Sequence, residues 1–166
     1  MESNNYNAAE TPVETAPALS MKWHKFLTNF SLWLSALTCL ITAYLYFSGS
    51  LYGLPASEVQ WLYRYYEGLQ ALDIFFGVIC VLTGVFVIVT RFALARYKAV
   101  GPKFLIALYI INQVPNLLYP FLASVITEFP LGDLIDPNLV SSLIASVVII
   151  FVNKKYYARR AHLFVN

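Results

Sequence analysis

The chain has 166 residues, of which 59% are hydrophobic and only 12% are charged, and its formal net charge is +2. A soluble domain carries about 25% charged residues, so this composition excludes an ordinary soluble enzyme and a disordered protein. Two cysteines are too few for a disulfide framework. The class that remains is a polytopic membrane protein, whose first partner is the lipid bilayer.

The N-terminal segment 1–20 is polar, contains two prolines and three glutamates, and has no Lys or Arg. Such a segment buries too little apolar surface to offset the entropy that ordering would cost. We expect a disordered cytoplasmic tail at 1–20, a helical transmembrane domain at 21–157 and a basic cytoplasmic tail at 158–166.

Four apolar stretches follow the tail, and each is long enough to cross a hydrocarbon core of about 30 Å as an α-helix. A helix is expected because a spanning segment must satisfy its backbone hydrogen bonds internally. The fourth stretch begins at Asp136 and Pro137, since Asp suits the N-cap and Pro the first helical position. The predicted fold is an all-α transmembrane bundle with spans at 26–47, 71–90, 104–127 and 137–157.

Basic residues are divided unequally between the loops. Lys22 and Lys25 precede span one, four basic residues separate spans two and three, and four more lie at the end of span four. Arg64 is the one basic residue on the opposite side. By the positive-inside rule, this pattern predicts a multi-pass protein of the plasma (inner) membrane with both termini cytoplasmic. The residues expected to contact anionic lipid headgroups are Lys154, Lys155, Arg159 and Arg160.

The first outer loop contains a helical pattern of its own. Ser57 followed by Gln60 resembles a capping box, and apolar residues then recur at helical spacing. We expect a short amphipathic helix on the outer membrane surface that continues into span two. Its outer surface would be formed by Trp61, Arg64 and Tyr65. The aromatic residues expected in an outer interfacial belt are Tyr44, Tyr46, Phe47, Tyr52, Trp61, Tyr63, Tyr65, Tyr66 and Tyr119.

Small residues recur at helical spacing in three of the spans. Because small side chains let membrane helices approach closely, these stripes predict packing between helices of one chain, or else contact between two copies. The residues are Ser31, Ser35 and Thr38 in span one, Gly77, Cys80 and Gly84 in span two, and Ser142 and Ser146 in span four.

Asp73 is the one acidic residue within a predicted span, and it shares a helical stripe with Gly77. An ionisable group inside a membrane is a functional-site hypothesis by default. In one interpretation Asp73 binds a cation or a proton. In the other it is structural, and caps the helix or pairs with Arg64.

Span three combines amides with prolines. Each proline removes a backbone donor, so Pro115 and Pro120 predict a helix kink. The amides of Asn112, Gln113 and Asn116 line a cavity or substrate path in one interpretation. In the other, they hydrogen bond between helices and hold them together.

The sequence shows no recognisable catalytic arrangement. Its histidines and cysteines lack zinc-binding spacing, and neither a phosphate-binding glycine loop nor a Ser-His-Asp pattern is present. We therefore expect a non-enzymatic protein with no metal and no cofactor. The membrane topology accounts for the basic loops, so nucleic acid is not an expected partner.

Several short segments carry a resemblance to a known group of proteins. They are Met21–Phe26, Leu72–Gly77, Gly101–Lys103 and Asn153–Arg160 with Leu163 and Phe164. Over residues 21–166 the chain resembles a group of small, uncharacterised bacterial four-helix integral membrane proteins. The resemblance implies a bacterial inner-membrane protein and no particular chemistry.

Three functions remain open. Compact size, short loops and packing stripes favour a non-enzymatic accessory or interaction subunit with a membrane-protein partner. The second function is a homo-oligomeric transporter or channel for a small solute or ion, built on the polar kink of span three and on Asp73. The third is a membrane ligand sensor with aromatic residues at its outer surface. A cytoplasmic partner could also dock on Leu163 and Phe164.

Overall fold

The computed structural model describes residues 20–135 and 137–165. The disordered tail predicted for 1–20 falls outside the described residues except for Ser20, and so does the predicted N-cap Asp136. Every regular element in the described ranges is helical, and four helices are long and apolar enough to cross a membrane. The predictions of an all-α class and of four such helices are confirmed.

Six helices follow one another along the chain. They are α1 (Lys22–Ser48, with a π-helical turn at Leu27–Ser31), α2 (Ala56–Tyr65), α3 (Leu69–Ala95), α4 (Gly101–Thr127), α5 (Leu131–Leu134) and α6 (Leu139–Ala158). Short 3₁₀ turns lie at Ser50–Tyr52 and Ala161–Leu163. The long helices alternate in direction, so one end of the molecule carries Lys22 and Lys154. We call this the basic end and the opposite one the acidic end.

The predicted loop helix is present as α2, but two details of the prediction are wrong. The helix begins at Ala56 with Pro55 at the N-cap, and no side chain caps it, so the capping box on Ser57 does not form. Nor does α2 continue into α3. Tyr66 is extended and Gly68 is left-handed, with φ of +96°, and these two conformations break the helix before Leu69.

Helix α2 folds back over the end of α1 at a glycine. Gly49 caps α1 in the left-handed conformation, with φ of +68°. A Cβ at this position would overlap the side chain of Val59 and lie 2.9 Å from the hydroxyl of Tyr63. Glycine therefore provides both the turn and the space for α2.

Helices α1 and α3 form the most extensive helix pair. A Cβ on Gly77 would lie 2.6 Å from the ring of Phe47, and one on Gly84 would lie 3.3 Å from the Cβ of Cys39. Two of the small residues predicted to pack in span two thus lie directly against α1. Their lack of a side chain allows the close approach.

Helix α4 is interrupted at Asn112, which separates Gly101–Ile111 from Gln113–Thr127. Pro115 cannot donate a hydrogen bond to the carbonyl of Ile111, and the interruption lies one residue after that carbonyl. Pro120 lies inside the second segment, and the helix continues through it.

Helix α6 begins two residues later than predicted. Residues 137 and 138 form a turn, and the carbonyl of Asn138 accepts the first helical bond from the N–H of Ser142 at 2.9 Å.

The basic ends of α1 and α6 are joined by side-chain hydrogen bonds. Trp23 Nε1 donates to Asn153 Oδ1 at 3.0 Å, and His24 Nδ1 lies 3.2 Å from the hydroxyl of Tyr157. The C-terminal segment folds back onto this junction, where the ring of Phe164 packs edge-on against His24 and Tyr157. Phe164 is only 6% exposed. The prediction that it offers a docking surface is therefore wrong.

Arg160 is also buried at this end, so its predicted contact with lipid headgroups is wrong. Its guanidinium donates to the carbonyls of Tyr156 and Ser20 and lies 3.7 Å from the centre of the Tyr156 ring. The Arg160 side chain is thus bound by groups of the protein itself, although its positive charge had predicted a contact with lipid. The other three members of the predicted basic cluster are exposed, namely Lys154, Lys155 and Arg159.

Candidate functional site

A cleft lies between α1, α3, α4 and α6. It consists of two adjoining cavities of about 240 and 490 Å³, which share the lining residues Tyr46, Pro115 and Asn116. We call the smaller one the deep chamber and the larger one the mouth chamber, and together they form the outer cleft. Polar residues of the deep chamber are Ser35, Thr38, Thr42, Tyr46, Thr83, Asn112 and Asn116. Polar residues of the mouth chamber are Tyr46, Tyr52, Asn116, Tyr119, Asp133, Asn138 and Ser142.

The small polar stripe of α1 lines this cleft in part, rather than only packing against another helix. Ser35 and Thr38 both face the deep chamber. The hydroxyl of Thr38 donates to the carbonyl of Leu34 at 2.9 Å, which satisfies its hydrogen within the helix. Ser31 lies in the π-helical turn, and Cys80 lines the deep chamber from α3.

The three amides of α4 are divided between two roles. Asn112 and Asn116 line the deep chamber. Gln113 instead donates through Nε2 to the hydroxyl of Ser146 on α6. The cavity-lining interpretation therefore describes the two asparagines. The interhelical hydrogen-bond interpretation describes the glutamine.

Asp73 is 1% exposed and accepts three hydrogen bonds from tyrosine hydroxyls. Tyr63 and Tyr52 donate to Oδ2 at 2.7 and 2.8 Å, and Tyr119 donates to Oδ1 at 2.8 Å. Gly68 occupies the N-cap of α3 without a side-chain cap, and Arg64 is exposed. Asp73 neither caps its helix nor pairs with Arg64, so the two contacts predicted for a structural Asp73 are wrong, and its partners are the three tyrosines.

These four residues form what we call the Asp73–tyrosine cluster. Tyr52 comes from the turn after α1, Tyr63 from α2 and Tyr119 from α4, so the cluster ties together four separate segments. Tyr52 and Tyr119 also line the mouth chamber, and the carboxylate therefore lies behind its wall. The sequence pattern had assigned these tyrosines to an interfacial belt.

The cluster has more short oxygen contacts than phenolic hydrogens. The hydroxyls of Tyr52 and Tyr119 lie 2.9 Å apart, in addition to the three bonds to Asp73. Three hydroxyls supply three hydrogens, and all three can donate to the carboxylate. One of the four contacts therefore lacks a hydrogen at any moment, and between Tyr52 and Tyr119 either hydroxyl can be the donor.

The phenols in the outer loop are neutral donors. Burial is the main cause that raises the pKa of Tyr52 and of Tyr63 above the ordinary value, and the neighbouring Asp73 raises both further. Both hydroxyls therefore keep their hydrogens at physiological pH and can donate them to the carboxylate.

The surroundings of the cleft contain acidic groups and no basic ones among the described lining residues. Asp133 lines the mouth chamber, and neither chamber includes a Lys, Arg or His in the ranges 20–135 and 137–165. Cys39 and Cys80 line the deep chamber as free thiols. Within the same ranges, no group of three His, Cys, Asp or Glu residues is placed to hold a metal ion.

The predicted outer surface lies apart from the cleft lining. Trp61 and Tyr65 are 61% and 65% exposed on α2, and their rings stack with centres 5.2 Å apart. Arg64, which lies between them in the sequence, is exposed and lines a separate cavity of about 610 Å³ together with Glu128.

Comparison of the chain with family profiles, with curated proteins and with solved structures finds no match. The resemblance to small four-helix membrane proteins stays a prediction. The functional assignment is built on the cleft and on the Asp73–tyrosine cluster.

Proposed function

We propose that this chain is a multi-pass integral membrane protein that binds a small ligand in the outer cleft. The observation that carries the proposal is the adjoining pair of chambers, lined by hydroxyls and amides within helices of membrane-spanning length. The mouth chamber alone, at about 490 Å³, falls within the range of about 300–1,000 Å³ typical of ligand pockets. Polar groups at membrane depth are costly unless they face a cavity or a partner.

The charge distribution supports an orientation with the basic end in the cytoplasm of the plasma (inner) membrane. Both termini would then be cytoplasmic, and the mouth chamber would open to the outside. The ligand would reach the cleft from the external medium, as in a sensor or receptor.

Closure of the basic end favours binding over permeation. Between the deep chamber and that end, the helices pack around an apolar core that includes Leu32, Val87 and Leu108. Beyond this core, the bond from Trp23 to Asn153 joins the ends of α1 and α6. Because the cleft ends at this packed core on the basic side, it is suited to holding a ligand. Transport through the cleft of one copy would need a second conformation, so the transport alternative requires a homo-oligomer with a polar lumen.

The cleft proposal is tested by thiol accessibility. In a background with Cys39→Ala and Cys80→Ala, we would introduce Asn116→Cys in the cleft and, as the matched control, Leu118→Cys on the same helix. Leu118 is 47% exposed and does not line the cleft, so its position faces lipid in this proposal. Thiosulfonates react with thiolates, which form only where water has access.

An impermeant trimethylammonium thiosulfonate added outside the cell is expected to label the cysteine at 116 at least tenfold faster than the one at 118. Equally slow labelling of the two cysteines would contradict a water-accessible cleft. Labelling only after the inner face is exposed would contradict the orientation.

A second candidate, the accessory subunit, is favoured by the exposure of α6. The buried side chains of that helix are Asn153 and Tyr157, both near its basic end. Val140, Ile144 and Phe151 are each at least 60% exposed. This face could pack against another membrane protein as well as against lipid.

The mass of the particle extracted from its native membrane in mild detergent discriminates the two candidates. A stoichiometric second protein supports the accessory role. The chain by itself supports the ligand-binding role, and a homo-oligomer supports the transport alternative.

A further inference from the structure

We propose that the ligand of the outer cleft is a small organic cation, whose charge is balanced by Asp73 through Tyr52 and Tyr119. This inference rests on the proposed function and names the chemical class of the ligand. The geometry points to a cation because the buried Asp73 lies directly behind a cavity wall that contains tyrosine rings and Asp133.

The first step is the charge balance of Asp73. The carboxylate is almost completely buried, and its hydrogen-bond donors in the described ranges are three phenols. These hydrogen bonds stabilise the carboxylate but bring no positive charge, and a buried charge is most stable when it is also paired with an opposite one. Because none of the described residues that line the cleft is basic, a cation in the mouth chamber would provide that compensation.

The second step is the orientation of the phenol oxygens. Tyr52 and Tyr119 each lie within hydrogen-bond distance of the carboxylate, at 2.8 Å, and their two oxygens lie 2.9 Å apart. Both residues line the mouth chamber. Their oxygens therefore carry negative potential from Asp73 to the cavity surface.

The third step is the aromatic wall. Tyr46 lines the same chamber, and its ring lies against that of Tyr119 with centres 5.2 Å apart. Aromatic faces attract cations within about 6 Å of the ring centre, and such walls recognise quaternary ammonium groups. Asp133 at the mouth adds a second negative charge that would attract cations to the cleft.

The fourth step distinguishes an organic cation from a metal ion. Apolar side chains share the mouth chamber with the polar ones, namely Leu51, Pro115, Pro120, Leu134 and Leu139. Hard metal ions favour several carboxylate ligands, whereas Asp133 is the one carboxylate among the described lining residues, and no group of three His, Cys, Asp or Glu residues is placed to hold a metal ion in the described ranges. An ammonium group with apolar substituents matches both the aromatic and the apolar parts.

The experiment uses the full chain with the cysteine at 116, purified in detergent, and an uncharged hydroxyethyl thiosulfonate as the labelling reagent. The cationic probe is benzyltrimethylammonium. The controls are benzenesulfonate, an anion of similar size, and the neutral benzyl alcohol. The cation is expected to slow labelling saturably, whereas the anion and the neutral compound leave the rate unchanged within twofold.

Two variants test the role of the acids. Asp73→Asn is expected to raise the half-protecting concentration of the cation at least tenfold. Glu128→Gln removes an exposed acid at the same end that does not line the cleft, and is expected to change that concentration by less than twofold. If Asp73→Asn does not fold, Asp133→Asn replaces it, because Asp133 is exposed and its loss is expected to weaken protection about threefold.

The outcomes separate this inference from the proposed function. Equal protection by the anion or by the neutral compound overturns the cationic class and leaves the cleft as a binding site. The cationic class is also overturned, and the cleft is left as a binding site, if the cysteine is readily labelled but benzyltrimethylammonium gives no protection at 10 mM (about the upper limit for a specific probe). An unchanged half-protecting concentration in the folded Asp73 variant, or in its Asp133 substitute, also overturns the inference. A cysteine at 116 that is not labelled at all counts instead against the proposed function.

Discussion

The hydroxyl of Tyr63 and the carboxylate of Asp73 are 2.7 Å apart, although a helix break separates them. Tyr63 lies near the end of α2 and Asp73 in the second turn of α3. The extended residue Tyr66 and the left-handed Gly68 reverse the chain between them. The bond therefore holds α2 against the acidic end of the molecule, beside the mouth of the cleft.

Loss of that bond is expected to destabilise the protein measurably. Tyr63→Phe removes one donor from a buried carboxylate, and hydrogen bonds to charged groups contribute about 1.5–3 kcal/mol. We expect a decrease of that size in the free energy of unfolding, measured by denaturation in detergent. Tyr65→Phe is the matched control, because Tyr65 is exposed two residues away. Equal stability of the two variants would show that the Tyr63 bond contributes nothing.

Alanine substitutions at Gly49 and Gly53 separate the energetic contribution of α2 packing from the cost of a left-handed backbone. Gly49 and Gly53 have φ of +68° and +66°, but only at Gly49 would a Cβ overlap α2. Gly53→Ala should cost about 1–2 kcal/mol through the left-handed backbone alone. Gly49→Ala should cost clearly more, because Val59 must also move. Chemical unfolding of both variants checks this, and equal costs would place α2 away from Gly49 in solution.

The folded-back C-terminus is expected to stabilise the basic end. Phe164→Ala removes a nearly buried ring that contacts His24, Tyr97 and Tyr157. Truncation of a buried Phe costs about 3–5 kcal/mol. Leu163→Ala is the control, because Leu163 is 37% exposed and its truncation should cost much less. Thermal unfolding of the two variants measures the difference. If both variants lose little stability, the C-terminal segment is detached from the basic end in solution.

The two kinds of amide in α4 should respond differently to substitution. Gln113→Leu removes an interhelical bond to Ser146, and such bonds contribute about 0.6 kcal/mol in membranes. It should lower stability slightly and leave the cleft unchanged. Asn116→Leu should leave stability almost unchanged and weaken protection by the cationic probe. For this comparison, the reporter cysteine is placed at Ser142, which lines the mouth chamber. If Gln113→Leu weakened protection and Asn116→Leu lowered stability, Gln113 rather than Asn116 would line the cavity.

The limits of sequence reasoning are clear at particular residues. Asp73 was selected because an acid within an apolar stretch is rare, and this argument needs no knowledge of its neighbours. Its three donors could not be inferred, since they lie 10, 21 and 46 residues away along the chain. Arg160 was misassigned for the same reason: its charge pointed to lipid, whereas one of its partners, the carbonyl of Ser20, is 140 residues away.

The sequence by itself determined the helical class, the number of long apolar helices and the unequal distribution of charge. These follow from composition and local pattern, because a helix satisfies the backbone hydrogen bonds of a long apolar segment within the segment itself. Only the tertiary structure decided which polar residues face a cavity, which join helices and which surround Asp73. Those roles depend on the relative rotation and crossing of α1, α3, α4 and α6, set by packing between residues distant in sequence.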